Sequence, residues 1–494
     1  KMSHALRIFL FISWTVIIDA SRFKRRSLVY PRVIEARNDG DQLTLFINED
    51  ITLSLEPADI FSERFSLHYD KEGSLVTRHM NGTELNKMVY HDTDQGAAVS
   101  LERDSGLRVH GIIGNSLRIR PLSVMGQSSA DLTAHEIFEV EEHSLNTRSD
   151  YLEVPPPQPF QLTKERSIQV PSLVRPELMV LVDIERKKSL GKPLSASLYT
   201  GVLFTAANLR YLKMTHPKLK ARLCSVRIMS QTLRSRLYSN IKIKNTRYLD
   251  SNATIYALKK EVEKVLYTSY DAVFLLTREE MAVIRPVGGA WTTTVSGLAF
   301  LACVCSEFKV GILEDNGFSH EGVHTAAHEL AHLLGCPHDG EEPPPRLPDS
   351  PGSESCSEND TFLMSPVFTG TKNKNAYHLS GCCINMIRYV VRHDNYECLS
   401  LETLRVEVKS NRLPASLTTL NETCERKLQV HNLAGGFHKD EDGMLERCLL
   451  HCVTAPDETG EFWTLNSTAE EGTICNKTKP QKLCIAEQCV VPEK

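Results

Sequence analysis

The run from His328 to Asp339 reads His-Glu-Leu-Ala-His-Leu-Leu-Gly-Cys-Pro-His-Asp and constrains the fold more than any other stretch. On a helix, His328 and His332 lie one turn apart on one face, where two imidazoles can hold a single zinc ion. Glu329 then stands beside the metal, placed to take a proton from bound water. The chain must next leave the helix sharply, and Gly335, lacking a Cβ, can adopt the left-handed conformation this needs. The turn returns His338 as third ligand and leaves the fourth position open to water. A bare HExxH would arise by chance in roughly a few chains per hundred of this His and Glu content. Adding Gly335, His338 and Asp339 at fixed offsets lowers that to on the order of a few per million. A merely His-rich surface helix is therefore the weaker reading, and a catalytic zinc site the stronger. His324, one further turn back, is not needed as a ligand and is assigned to the helix surface or to a supporting position.

This run resembles the zinc motif of the metzincin metalloproteases, and Asp339 after the third histidine is similar to the reprolysin (adamalysin) branch. The family has a methionine turn beneath its zinc, which Met364 in Phe362-Leu363-Met364-Ser365-Pro366 matches; an ordinary core methionine is the other reading. The resemblance implies an α/β catalytic domain with a mostly parallel twisted sheet, and peptide-bond hydrolysis at zinc. It implies an edge strand along the cleft that pairs with extended substrate. Residues 310–313 are expected to form that edge, with 297–299 nearby, and Ser365, Pro366 and Val367 to wall the adjoining pocket. It also suggests a structural calcium ion held by Glu177, Asp271 and the Cys398 carbonyl, and a Cys303–Cys398 disulfide. Leu401 stands where the family usually carries Asn or Asp, and two strand-end carboxylates in water is an equal alternative.

At 494 residues the chain has room for about three domains. A net charge of −5 with 24% charged residues argues against nucleic acid or a polybasic membrane contact as partner. Fourteen cysteines are unusual for a reducing cytosol, and none precedes Cys224. Eight fall from Cys224 to Cys398 and six from Cys424 to Cys489, which suggests two separate disulfide-bonded units. Residues 8–18 are apolar apart from Ser13 and Thr15, too short to cross a bilayer but suited to a signal peptide ending near Ala20. No later stretch reads as a membrane anchor, so a secreted protein is expected. Sequons at Asn81, Asn252, Asn359, Asn421, Asn466 and Asn476 fit that route.

Residues 21–170 read as a cysteine-free, β-rich propeptide. Period-two alternation at 43–45 and 51–55 marks half-buried strands, with others at 107–113, 117–119 and 135–140. The stretch from Gly111 to Leu122 is similar to reprolysin propeptides. Many relatives stay latent through a propeptide cysteine on the zinc, which is impossible here. His135 is a conceivable substitute, against the alternative of a structural histidine. Pro155, Pro156, Pro157 and Pro159 make a stiff linker, with processing expected between Lys164 and Arg175 rather than at Lys24-Arg25-Arg26.

The catalytic domain is expected over 171–402. Strands at 177–183, 223–229 and 271–277 alternate with helices at 198–214 and from Ser251 or Asn252, whose apolar face carries Ile255, Leu258, Val262, Val265 and Leu266. A closing helix follows at 379–391. Residues 403–494 read as a disulfide-stapled module, and the stretch from Glu471 to Cys475 with Cys484 and Cys489 resembles the cysteine-rich segment of proteases with thrombospondin motifs. An exosite for substrate or matrix is expected there; simple capping of the protease is the alternative. The whole layout is similar to secreted metalloproteases of tick saliva, which implies fibrinogen, fibrin or matrix substrates at a feeding site. The contrasting reading is a catalytically weak binding protein acting through the cysteine-rich module, and the intact zinc motif counts against it.

Overall fold

The computed structural model describes residues 23–34, 43–71, 74–103, 106–122, 133–140, 145–146, 150–154, 170–183, 193–284, 289–368, 374–400, 415, 418–429, 433, 435–439, 443–456, 460–479, 481–485 and 488–491. The expected signal peptide, most of the proline linker, Lys164 to Arg166 and Leu401 lie outside them. The chain divides into two compact units, 1–403 and 404–494.

Alternation of apolar and polar residues builds the first sheet. Nine antiparallel strands run in the order Phe23–Val29, His135–Val140, Leu117–Pro121, Arg108–Ile113, Ala97–Glu102, Val89–Asp92, Thr52–Pro57, Leu43–Phe46 and Arg32–Ile34. The strand Thr52–Pro57 shows the logic, with Leu53 and Leu55 fully buried and Thr52 and Ser54 exposed. Those leucines join Leu45, Val99, Val109 and Ile119 in one apolar cluster.

A second, eight-stranded sheet has the order Tyr151–Leu152, Gly297–Phe300, Val310–Glu314, Ala272–Thr277, Glu177–Val182, Arg222–Ile228, Phe61–Lys71 and Ser74–Asn81. Its four middle strands, from Val310–Glu314 to Arg222–Ile228, are parallel. Glu177–Val182 and Ala272–Thr277 are buried along their whole length, as parallel strands covered on both faces should be. One correction concerns its edge, while 297–299 does lie beside 310–313 as expected. Val310–Glu314 is an interior strand, and Gly297–Phe300 lies outside it, antiparallel. Both margins of this sheet are covered by the cysteine-free region: Tyr151–Leu152 pairs in parallel with Gly297–Phe300, and Phe61–Lys71 in parallel with Arg222–Ile228.

The helix Pro193–Leu209 begins earlier and ends sooner than the expected 198–214, and every residue from Ala196 to Ala207 is buried. A helix buried all round must be covered on every side. It packs on Arg222–Ile228, on the helix Val323–Leu333 and on Ala97–Glu102 of the nine-stranded sheet. The helix Ser251–Val262 is capped by Asp250, whose side chain accepts from the Ala253 amide, rather than by Ser251 or Asn252. Val265 and Leu266 fall beyond it in a 3-10 turn.

Three disulfides close the first unit: Cys305–Cys398, Cys336–Cys383 and Cys356–Cys382. The expected Cys303 pairing is thus wrong by two residues. Cys303 is buried and reduced, its thiol donating to the Leu301 carbonyl, as Cys224 is also buried and reduced. The second unit holds two three-stranded sheets and the disulfides Cys424–Cys452, Cys448–Cys484 and Cys475–Cys489. The sulfurs of Cys448, Cys475 and Cys484 lie close together, but each is in a disulfide and none is free to bind metal as a thiolate.

Candidate metal centre

The helix Val323–Leu333 carries His328 and His332, and all of its residues are buried. Four-residue spacing sets their rings on one face, with centroids 4.6 Å apart. Gly335 ends the helix at φ +100°, where a Cβ would lie 2.7 Å from Val390 Cγ2. The turn brings the His338 ring to 4.8 Å from His332 and 5.4 Å from His328. The intervening Cys336 is tied to Cys383, on the helix Gly381–Val390, which fixes the returning loop.

Each imidazole is oriented through its other nitrogen. His328 Nδ1 lies 2.7 Å from the Leu363 carbonyl, and His332 Nδ1 lies 2.7 Å from the Cys336 carbonyl. A carbonyl only accepts, so both Nδ1 atoms carry the hydrogen. His338 Nδ1 meets Glu341 Oε1 at 3.3 Å with the same consequence. All three Nε2 atoms are left as lone pairs aimed at one point.

Asp150 faces the same point from the fourth side. Its carboxylate lies 3.2 Å from His328 Nε2, 3.4 Å from His332 Nε2 and 3.0 Å from His338 Nε2. All four side chains are buried, and among the described residues neither these nitrogens nor the Asp150 oxygens has a hydrogen-bond partner. Five acceptor atoms facing one another without a donor is untenable unless a cation sits among them. Three imidazoles with one open or carboxylate position is a donor set suited to zinc. Absent a metal, a proton would compete for the place. Burial lowers His332 to about 4, whereas at His338 the Asp150 and Glu341 carboxylates outweigh burial and raise it to about 9.

Glu329 follows His328 into the buried site, its Oε1 so near Gly297 that a Cβ there would be 2.2 Å away. Burial, with Asp150 beside it, pushes this carboxyl well above the usual carboxylate range. A raised pKa makes a carboxylate a stronger base. Met364 is fully buried, and its carbonyl accepts from the Asp339 amide at 2.9 Å. Asp339 also accepts from Ser380 Oγ at 2.6 Å, joining the histidine loop to the cap of Gly381–Val390.

His324 is buried on the same helix, its ring 6.1 Å from His328, and lies outside the converging group rather than on the surface. His135 stands apart from the centre: Nε2 accepts from the Val109 amide at 2.8 Å and Nδ1 meets the Thr133 carbonyl at 2.9 Å. It is a structural histidine of the nine-stranded sheet, and Asp150 is the group that reaches the imidazoles. Nothing local marks Asp150 in the sequence, because only strand pairing brings it there. Tyr151 and Glu341 are the other residues that motif reading misses. The Tyr151 ring packs 4.8 Å from His332, and its hydroxyl donates to Glu341 Oε2 at 2.8 Å.

The calcium expectation finds no support. Glu177 and Asp271 are adjacent and buried, with Asp271 accepting from the Glu177 amide at 2.9 Å and lying near the sulfurs of Cys305 and Cys398. Lys309 already brings a positive charge to Asp271 and donates to the Tyr270 carbonyl. Of the sequon asparagines, Asn81, Asn359, Asn421 and Asn466 are exposed, whereas Asn252 and Asn476 are half-buried.

Residues 205–378 match the Reprolysin_5 model of metallo-peptidase family M12. The chain is 27% identical over 412 residues to venom metalloproteinase antarease TserMP_A of Tityus serrulatus, covering 81% of this chain and 98% of that protein. It is 25% identical over 403 residues to venom metalloproteinase BumaMPs1 of Olivierus martensii, covering 80% and 97%. A stretch of 132 residues, 26% of this chain, is 37% identical to antarease-like TserMP_B of Tityus serrulatus, of which it spans 54%.

Proposed function

This chain carries a reprolysin-family metallopeptidase domain, and on that premise we propose that His328, His332 and His338 hold the zinc ion of an endopeptidase whose general base is Glu329. The single observation behind the assignment is the convergence of three tautomer-fixed Nε2 atoms with no hydrogen-bond donor among the described residues to satisfy them. Bound zinc supplies Lewis-acid polarisation of water and of the peptide carbonyl. Glu329 takes the proton from the attacking water and passes it to the leaving amide nitrogen. The strand Gly297–Phe300 borders the site and can pair with an extended polypeptide, which aligns the scissile bond with little demand on side chains. Val367, on the short strand Val367–Phe368, helps wall the other side. Met364 and Asp339 hold the loop from below through their shared hydrogen bond.

The setting is extracellular. Six disulfides among the described residues suit an oxidising compartment, and two of the proteins this chain is similar to over most of their length are venom metalloproteinases. Among the described residues no helix is long and apolar enough to cross a membrane. Fibrinogen, fibrin and matrix proteins are the substrates to test first, with the cysteine-rich unit as an exosite.

The test is digestion of casein, gelatin, fibrinogen and fibronectin by protein freed of its N-terminal region, followed by sequencing of the new ends. Cleavage that stops with a zinc chelator and returns with zinc is expected. Glu329→Gln should retain zinc and fold yet lose turnover by on the order of 10²–10⁴-fold. Equal cleavage by wild type and Glu329→Gln would remove the carboxylate from the mechanism.

A further inference from the structure

We propose that Asp150 is a fourth ligand of the same metal in the uncleaved chain, so that the protein is held inactive by a carboxylate of its own N-terminal region. The proposal rests on the zinc assignment above and goes beyond it by naming what fills the open position. Residues 1–223 offer no cysteine for that place.

Backbone geometry shows why the Asp150 side chain, and no peptide bond, meets the metal. The Ala299 amide donates to the Asp150 carbonyl at 3.0 Å, and the Leu301 amide to the Leu152 carbonyl at 2.9 Å. Tyr151 and Leu152 register against Ala299 and Phe300. The carbonyl of Asp150 is thus engaged by Gly297–Phe300, while its carboxylate reaches the three imidazoles at 3.0–3.4 Å. On the other side of the site, Leu145–Asn146 pairs antiparallel with Val367–Phe368. Residues before and after Asp150 in sequence are thus each paired with a strand of the catalytic domain. Tyr151 adds a third attachment through Glu341, which also orients His338.

Two consequences follow from one contact. The carboxylate excludes the water that Glu329 must activate, and the paired strand denies Gly297–Phe300 to a substrate. A carboxylate is a good oxygen ligand for zinc, and in exchange the metal neutralises an otherwise unpaired buried charge.

The experiment uses the full chain, uncleaved, as wild type, Asp150→Asn and Asp150→Ala, each loaded with zinc or cobalt(II). Asp150→Asn is nearly isosteric and guards against a packing artefact. Both variants are expected to release zinc to a chelator at least about tenfold faster than wild type. Their cobalt forms should show an altered visible spectrum that responds to azide, to which the wild-type form is indifferent. Identical cobalt spectra and identical zinc release in all three proteins would overturn the Asp150 assignment alone. Failure of wild type and of the N-terminally trimmed protein to hold any metal would instead overturn the zinc site, and this proposal with it.

Discussion

Gly297 shows how tightly single positions are set around the catalytic carboxylate. A Cβ at this residue would stand 2.2 Å from Glu329 Oε1 and 2.6 Å from Thr325 Cγ2, so the glycine makes the room in which Glu329 lies. Gly297→Ala is expected to keep zinc, since no histidine is touched, while displacing the base. A misplacement of about 1 Å costs on the order of 10²-fold in rate, which should appear in kcat at unchanged metal content. Unchanged kcat would show that Glu329 has slack. At this scale the zinc motif was legible because its three histidines and its glutamate lie within one helix and one turn, where spacing translates directly into geometry. Asp150, Tyr151 and Glu341 were not legible, because ordinary residues acquire their roles only through strand pairing and a returning loop. Cys303 and Cys305 illustrate the same limit: two cysteines two residues apart in sequence, and only the fold decides which reaches Cys398.

Strands are legible in the sequence where apolar residues alternate, as in Thr52–Pro57, or run unbroken, as in Ala272–Thr277, but their order within a sheet is not. Val310–Glu314 has the apolar run of a strand and nothing that distinguishes an interior place from an edge. The hairpin Phe61–Lys71 and Ser74–Asn81 was unforeseen as a continuation of the catalytic sheet, since its partner is far along the chain. That junction leads to a pH prediction. His68 is buried opposite Arg227 in the register of Phe61–Lys71 with Arg222–Ile228, and burial, aided by Arg227, lowers it to about 4. His135 is lowered to about 4 by burial as well. An unfolded histidine takes up its proton near pH 6.5. Between there and about pH 4 these two positions bind more protons in the unfolded chain than in the folded one, so the stability they contribute is lost as the pH falls. The unfolding temperature of the uncleaved chain is expected to drop across this window, and His68→Gln should shallow the slope. A slope identical in the variant would mean that His68 carries none of the acid sensitivity.

Considered as a molecule, the first unit is one construction rather than a protease with an appendage. The cysteine-free region supplies strands to both margins of the catalytic sheet, covers the buried helix Pro193–Leu209 and sends Asp150 into the centre. The second unit rests on three disulfides and small apolar clusters of its own, as its cysteine count suggested. What no local pattern announces is that the metal position is shared by parts of the chain far apart in sequence, so that folding itself assembles it. The claim beneath every other is that His328, His332 and His338 bind a metal together. Its most direct test is the zinc content of purified full-length protein, wild type beside His338→Ala, after dialysis against metal-free buffer. One zinc per wild-type chain and a large loss from His338→Ala are expected. A wild-type chain without zinc, or a His338→Ala chain that keeps it fully, would show that the three imidazoles do not share a metal.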